Sequence, residues 1–236
     1  MPIALVTGAS RGIGRAIAAA LAAEGFDLFV VARDAEALGE LSRTVAGAGR
    51  DVTVCPEDLA DREAPERIFQ KFTAEHESLA VLVNNAGVAP SAPFGSYTAE
   101  EWDRVMNINA RAPFFLTQLL LPLLKQADPG YVINIGSVVS KKGYENQSLY
   151  TASKHALLGF TKSLARETVK DNLRVHAILP GGVNTELVTG VRPDIDTSEL
   201  ITPQEIARIV INLVEMRGNA VIDEIEVRRR TKTPWA

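Results

Sequence analysis

Short apolar, β-branched runs alternate along this chain with longer stretches whose apolar residues recur at helical spacing. The runs predict strands at Ile3–Thr7, Asp27–Ala32, Asp51–Cys55, Ala80–Asn84, Tyr131–Gly136, Arg174–Leu179 and Val221–Val227. They are largely apolar on both faces, as in a parallel sheet covered on both sides. The periodic stretches predict helices near Gly12–Glu24, Ala35–Ala46, Ala64–His76, Ala99–Leu124, Ser148–Val169 and Pro203–Met216. Pro113 and Pro122 fall inside the fourth of these, where a missing N–H kinks a helix or ends it early. Alternation at this spacing describes βαβ units. The expected fold class is therefore α/β, a doubly wound parallel sheet of about seven strands with helices on both faces. Residues 1–236 are expected to form one domain, since no linker-like or low-complexity segment interrupts the pattern. The longest irregular stretch, Glu186–Leu200, reads either as a substrate lid or as a plain surface connection.

Composition narrows the class without naming a chemistry. Hydrophobic residues make up 46% and charged residues 23%, as in ordinary globular domains. A net charge of -4 offers no electrostatic case for nucleic acid or an anionic membrane. The basic run Arg228-Arg229-Arg230 is local and reads as a solvated end. Cys55 is the sole cysteine, which excludes an internal disulfide and suits a reducing compartment. The start Met-Pro-Ile-Ala-Leu-Val lacks the basic region of a signal peptide, and no apolar stretch approaches a membrane span. The expected location is cytoplasmic. His76, His155 and His176 are scattered, so no metal site is expected.

Two local patterns carry chemistry. Thr7-Gly8-Ala9-Ser10-Arg11-Gly12-Ile13-Gly14 follows the first strand and opens the first helix. Glycines there let the backbone turn tightly beside a pyrophosphate, and a helix N-terminus offers unpaired N–H groups. The second pattern is Tyr150-Thr-Ala-Ser-Lys154, four residues apart on one helical face. An ammonium beside a phenol favours the phenolate, which would lower the tyrosine pKa and make it a general acid or base.

These motifs occur with Asn84-Asn85-Ala86-Gly87 after the fourth strand, Asn109 in the long helix, Ser137 after the fifth strand and Pro180-Gly181 after the sixth. Their order and spread, from Thr7 to about Thr185, resemble a short-chain dehydrogenase/reductase. The resemblance implies a Rossmann-type fold and a set of roles. Tyr150 would give its proton to the developing alkoxide in carbonyl reduction, and Lys154 would lower the tyrosine pKa and bind the nicotinamide ribose. Ser137 would hold the substrate oxygen, and Asn109 would position a water that resupplies the proton through Lys154. Gly8, Ser10, Arg11, Gly12, Ile13 and Gly14 would cradle the cofactor. Asn85, Ala86 and Gly87 would line its channel, Asp58 and Leu59 would contact adenine, and Pro180, Gly181, Val183 and Thr185 would hold the carboxamide and anchor the lid.

Charge argues the choice of cofactor. An acid ending the second strand would bind the ribose hydroxyls and repel a 2′-phosphate. Ala32 occupies that slot, with Arg33 beside it and Arg11 in the glycine loop, so NADP is expected over NAD. Asp34 becomes the discriminating residue if the register differs by two. The expected activity is NADPH-dependent reduction of a ketone, aldehyde or 3-oxoacyl group. The alternatives are an NAD-dependent alcohol dehydrogenase of the same family and a non-catalytic nucleotide-binding regulator. Val88, Val138, Val139 and Tyr144 fit a small hydrophobic ketone or the core alike. A short lid suggests an open site and broad tolerance. Pro113-Phe114-Phe115-Leu116 and Leu119-Leu120-Leu121 offer excess apolar surface, so a homodimer or homotetramer is expected, with small molecules as the other partners. Many relatives end their last strand with a glycine pair; Arg228-Arg229-Arg230 departs from that pattern and puts the tetramer contact in doubt.

Overall fold

The protein was analysed as a computed structural model, which describes every residue except Ala48, Arg192, Pro193, Trp235 and Ala236, and at Val191 the backbone only. Seven strands form one parallel sheet: β1 (Ile3–Thr7), β2 (Asp27–Ala32), β3 (Val52–Pro56), β4 (Val81–Asn84), β5 (Gly130–Ile135), β6 (Leu173–Pro180) and β7 (Glu224–Val227). Their order is β3-β2-β1-β4-β5-β6-β7, so the winding reverses between β1 and β4. The helices are α1 (Gly12–Ala23), α2 (Ala35–Ala46), α3 (Ala64–Glu75), α4 (Ala99–Met106), α5 (Ala112–Leu124), α6 (Ser148–Glu167), α7 (Glu186–Val191) and α8 (Pro203–Glu215).

Both faces of the sheet are covered, which explains why β1, β4 and β5 are buried at every position. On one face Val6, Val30, Val83 and Ile133 pack under Ile17 and Leu21 of α1 and Val210 and Leu213 of α8. On the other, Leu5, Phe29, Leu82 and Val132 pack under Ile68 and Phe72 of α3 and Leu116 and Leu120 of α5. That second layer also holds a polar chain. Asn84 Nδ2 donates to Asn134 Oδ1 (2.8 Å) and Thr117 Oγ1 (3.0 Å), and Asn134 Nδ2 donates to Thr161 Oγ1 (2.8 Å). It ties β4 and β5 to α5 and α6 by bonds that only one register satisfies.

Three expectations need correction. The long helix is not continuous: a five-residue π-helical segment, Asn107–Arg111, separates α4 from α5. Pro113 enters α5 in its first turn, where a missing N–H costs little, while Pro122 lies within the helix. The segment from Glu186 to Leu200 is not irregular throughout; it carries α7 and a 3₁₀ turn at Thr197–Glu199. Part of the expected lid, Arg192 and Pro193, lies outside the described residues. The last strand begins at Glu224 rather than Val221, pairing with β6 from Ala177 to Pro180. The other boundaries shift by a residue or two, with β1, β2 and α2 as expected. Among the described residues no helix is long and apolar enough to cross a membrane.

Candidate active site

The carboxyl ends of the strands open into one cleft of about 1490 Å³. Its entrance lies where β1 and β4 part, and Thr7 and Asn85 hold it in shape. The Thr7 hydroxyl accepts from the Asn85 and Ala86 amides (3.0 and 3.1 Å), while Asn85 Nδ2 donates to the carbonyls of Thr7 and Gly8 (3.0 and 3.2 Å). Gly8 has φ +67°, a conformation that side-chain-bearing residues rarely adopt. A Cβ on Gly14 would stand 2.3 Å from the Gly8 carbonyl oxygen and 2.4 Å from Asn85 Nδ2, so α1 can start this close to the loop only with glycine there. The N-cap residue Arg11 makes no side-chain cap, and the first turn of α1 carries no acid. The first amides of α1 are thus left for an anion.

At the other end the groups converge on α6. Lys154 is 4% exposed, and its Nζ donates to the Ile135 carbonyl at 2.8 Å. Gly87 lies against it: a Cβ there would be in van der Waals contact with Lys154 Nζ at 3.5 Å and Asn109 Oδ1 at 3.4 Å. The π segment turns Asn109 inward, where Oδ1 accepts from the Val88 amide (2.9 Å) and Nδ2 donates to the Val88 carbonyl (2.8 Å) and Ser153 Oγ (2.9 Å). Ser137 precedes a 3₁₀ turn, Val138–Ser140; its Oγ accepts from the Val139 amide, and Ser140 Oγ accepts from the Ser137 amide. These bonds leave the Ser137 hydroxyl proton for its hydrogen bond with Tyr150.

The sequence model of the short chain dehydrogenase family matches residues 2–196. The chain belongs to the short-chain dehydrogenase family. It is 34% identical to an acetoacetyl-CoA reductase of Acinetobacter sp. (strain RA3849), over 94% of each chain. It is 33% identical to the 3-oxoacyl-[acyl-carrier-protein] reductase FabG of Escherichia coli (strain K12), over 88% of this chain and 87% of that one. Among solved structures, a metagenomic short-chain oxidoreductase in complex with NADP is 34% identical with a TM-score of 0.84, covering 97% of both chains. An alcohol dehydrogenase from Thermococcus sibiricus complexed with 5-hydroxy-NADP is 26% identical with a TM-score of 0.91, covering 99% of both.

Most residues that the family resemblance singled out line this cleft together. Gly8, Ser10, Arg11, Gly12, Ile13 and Arg33 stand on one side of it with Asp58, Leu59, Asn85, Ala86 and Gly87. Ser137, Tyr150, Lys154, Pro180, Gly181, Val183 and Thr185 complete the wall. Two residues stand behind the wall rather than on it: Gly14, packed beneath Gly8, and Asn109, packed behind Lys154. The two cofactor-discriminating arginines are not as free as expected. Arg11 is ion-paired with Glu186 of α7, and Arg33 Nη1 lies 3.9 Å from Asp58 Oδ2. Asp34 is engaged elsewhere, as the N-cap of α2 accepting from the Ala37 amide at 3.0 Å.

Some lining residues escaped the sequence reading. Lys142, Gln147, Gly182, Arg229 and Lys232 face the cleft, and none stands in a motif that could mark it. Ser153 escaped too, although it bridges Asn109 to the Tyr150 carbonyl (2.7 Å) and sits inside the Tyr-x-x-x-Lys stretch. The run Arg228-Arg229-Arg230, expected as a solvated end, instead folds back so that Arg228 and Arg229 border the cleft.

Electrostatics overturn one further expectation. In this geometry the ammonium does not lower the tyrosine. Burial pushes the Tyr150 phenol up to about 12, with a Ser137 hydrogen bond pulling weakly the other way. Burial pushes Lys154 down to about 8. Its Nζ is held by Ile135, and desolvation of the phenol is the larger effect. Both shifts couple to stability. The unfolded lysine keeps its proton to about 10.5, so between pH 8 and 10.5 the unfolded chain binds more protons and stability rises with pH. Tyr150 acts in the opposite direction, lowering stability between pH 10 and 12. In urea melts of the cofactor-free protein, Lys154→Met is expected to remove the rise between pH 8 and 10, so that the wild type gains on the variant across that window. Parallel curves would mean that the amine is solvated.

Proposed function

We propose that the protein is an NADPH-dependent carbonyl reductase, the whole chain acting as one dinucleotide-binding domain with a short lid at residues 186–200. One observation carries this reading: a single cleft joins an uncapped helix N-terminus and Arg33 to a cluster of Tyr150, Ser137 and the buried Lys154. The names of the relatives, reductases of acetoacetyl-CoA and of 3-oxoacyl groups on acyl carrier protein, support a 3-oxoacyl or simple ketone substrate. NADP in one similar structure and a modified NADP in another support the choice of cofactor.

The residues fit a dinucleotide. The first amides of α1 would take the pyrophosphate, Gly87 and Lys154 the nicotinamide ribose, and Gly181 and Val183 the carboxamide. A bound nicotinamide would supply the hydride. Ser137 would turn its hydroxyl proton from Tyr150 to the substrate oxygen and hold that oxygen beside Tyr150. Tyr150, protonated at every working pH when its pKa is about 12, would then give its proton to the alkoxide. Lys154, held near 8, would exchange its proton readily and become more fully charged beside cofactor phosphates. Asn109 has both side-chain polar atoms committed. The water that resupplies the proton therefore falls to its main-chain carbonyl, to which Pro113 has no N–H to offer. The backbone bonds Asn184 N–H to the Ile201 carbonyl (2.8 Å) and Ile201 N–H to the Gly182 carbonyl (3.1 Å) pin the base of the lid. The Arg11–Glu186 pair would latch it to the glycine loop.

NADPH preference rests on three positions. Ala32 brings no acid to the ribose, Asp34 lines the cleft but gives Oδ1 to the Ala37 amide as a helix cap, and Arg33 is half-exposed with only a loose acid neighbour. The homo-oligomer rests on α5 and α6. Phe114 and Phe115 remain exposed (45% and 38%) and stack edge-on with each other, and Phe114 does so with Phe160. Pro113, Leu116 and Leu120, by contrast, are buried within the chain.

Tyr150→Phe is expected to remove turnover while leaving the cofactor dissociation constant largely unchanged, as read by steady-state rates and fluorescence titration. Near-normal kcat would reassign the acid. For Arg33→Ala, NADPH should weaken by roughly ten-fold more than NADH, since a charge-assisted hydrogen bond is worth about 1.5–3 kcal/mol. Equal weakening of both would make Arg33 structural. Light scattering at micromolar concentration should give a mass of two or four chains, and a mass near 25.5 kDa would refute the oligomer.

A further inference from the structure

Beyond Val227 the chain makes a tight, basic turn at the wall of the cleft. The Gly181 amide donates to the Val227 carbonyl (2.7 Å), and the Lys232 amide donates to the Arg229 carbonyl (3.0 Å). Arg228 is consumed in holding this turn, its guanidinium donating to the carbonyls of Arg229 (3.1 Å), Arg230 (3.1 Å) and Lys232 (3.0 Å). Arg229 is left for something else. It lies against the bare backbone of Gly182, where a Cβ would meet its Cδ and Nε at 3.7 Å, and it is half-buried. Lys232 from the same turn and Lys142 from the loop before α6 line the same cleft.

These three cations differ from the arginines near the glycine loop. Arg11, Arg15 and Arg33 each have an acid within 4.0 Å. Among the described residues, Lys142, Arg229 and Lys232 have none. Glu226 also lines the cleft, but it lies 3.7 Å from Lys141, which holds Glu224 as well. The turn touches the lid, since the Thr231 hydroxyl donates to Glu199 at 3.3 Å. Three unpaired cations beside apolar walls concentrate positive potential. The planar guanidinium matches carboxylate and phosphate oxygens in pairs.

We propose that this turn anchors an anionic group on the substrate, with Arg229 as the specificity-determining contact and Lys142 and Lys232 adding charge. The substrate class is then a carbonyl compound carrying a carboxylate or a phosphate a few bonds from the reacting carbon. The inference rests on the carbonyl-reduction reading of the same cleft.

The test uses matched pairs: 3-oxobutanoate against its methyl ester, and dihydroxyacetone phosphate against dihydroxyacetone. Steady-state rates with NADPH and calorimetric binding to the protein with and without NADP are both measured. The wild type is expected to prefer the charged member of at least one pair, and which pair it is distinguishes carboxylate from phosphate. Arg229→Ala should lower kcat/KM for that member by about ten-fold or more through KM, with the loss confined to it and NADPH affinity unmoved. Arg229→Lys should retain part of the preference, and Arg230→Ala, outside the cleft wall, all of it. Equal losses for charged and neutral members overturn the anchor, as does a wild type that neither prefers nor binds either anion. Arg229-dependent binding without any turnover keeps the anchor and refutes carbonyl reduction. Turnover of the neutral members without a charge preference keeps reduction and refutes the anchor.

Discussion

A lysine buried with one carbonyl for company is costly to desolvate, and the site is organised around it. Lys154 is placed by α6, bonded to the end of β5, and roofed by Gly87 and Asn109. Desolvation of the amine disfavours its charge, which leaves it responsive to any negative group that enters the cleft. The π-helical segment belongs to the same arrangement. An extra residue in that turn brings Asn109 inward against Val88 and Ser153, behind the lysine. The polar chain from Thr117 through Asn84 and Asn134 to Thr161 then fixes α5 and α6 against β4 and β5, so the parts cannot slide relative to one another.

The reversal of strand order between β1 and β4 supplies the opening into which these groups face. Thr7 and Asn85 use four hydrogen bonds to hold that opening, and no side chain could be added at Gly8 or Gly14 without closing it. Specificity is distributed differently. The β2 side of the cleft places Arg33 near Asp58, while the β7 side presents Arg229, Lys142 and Lys232 with no acid within 4.0 Å among the described residues. A cleft with paired cations at one end and unpaired ones at the other is suited to a cofactor that brings its own charges and to a second, smaller anion.

Much of this was legible from residue order. Strand and helix periodicity placed β1, β2 and α2 at their observed bounds, because buried parallel strands and amphipathic helices are set by local apolar spacing. The capping boxes of α4 and α8, Thr98 with Glu101 and Thr202 with Glu205, are likewise local. The motif residues from Gly8 to Thr185 could be assembled on paper because a doubly wound sheet delivers every strand's carboxyl end to one edge.

What the sequence determined alone was therefore the fold class, the family and which side chains meet in one cleft, all properties of local pattern and motif order. Tertiary structure decided their state. Tyr150 and Lys154 share a helical face, and spacing alone suggests that the ammonium lowers the phenol. Burial and the Ile135 carbonyl reverse that, because desolvation depends on everything packed around a group rather than on its neighbours in sequence. The arginines behave likewise. Arg11 meets Glu186 across 175 positions of chain, Asp34 withdraws into a helix cap, and Arg229 reaches the cleft only because β7 pairs with the end of β6. Long-range pairing of charge has no period and no motif, so it becomes visible only once the chain has folded.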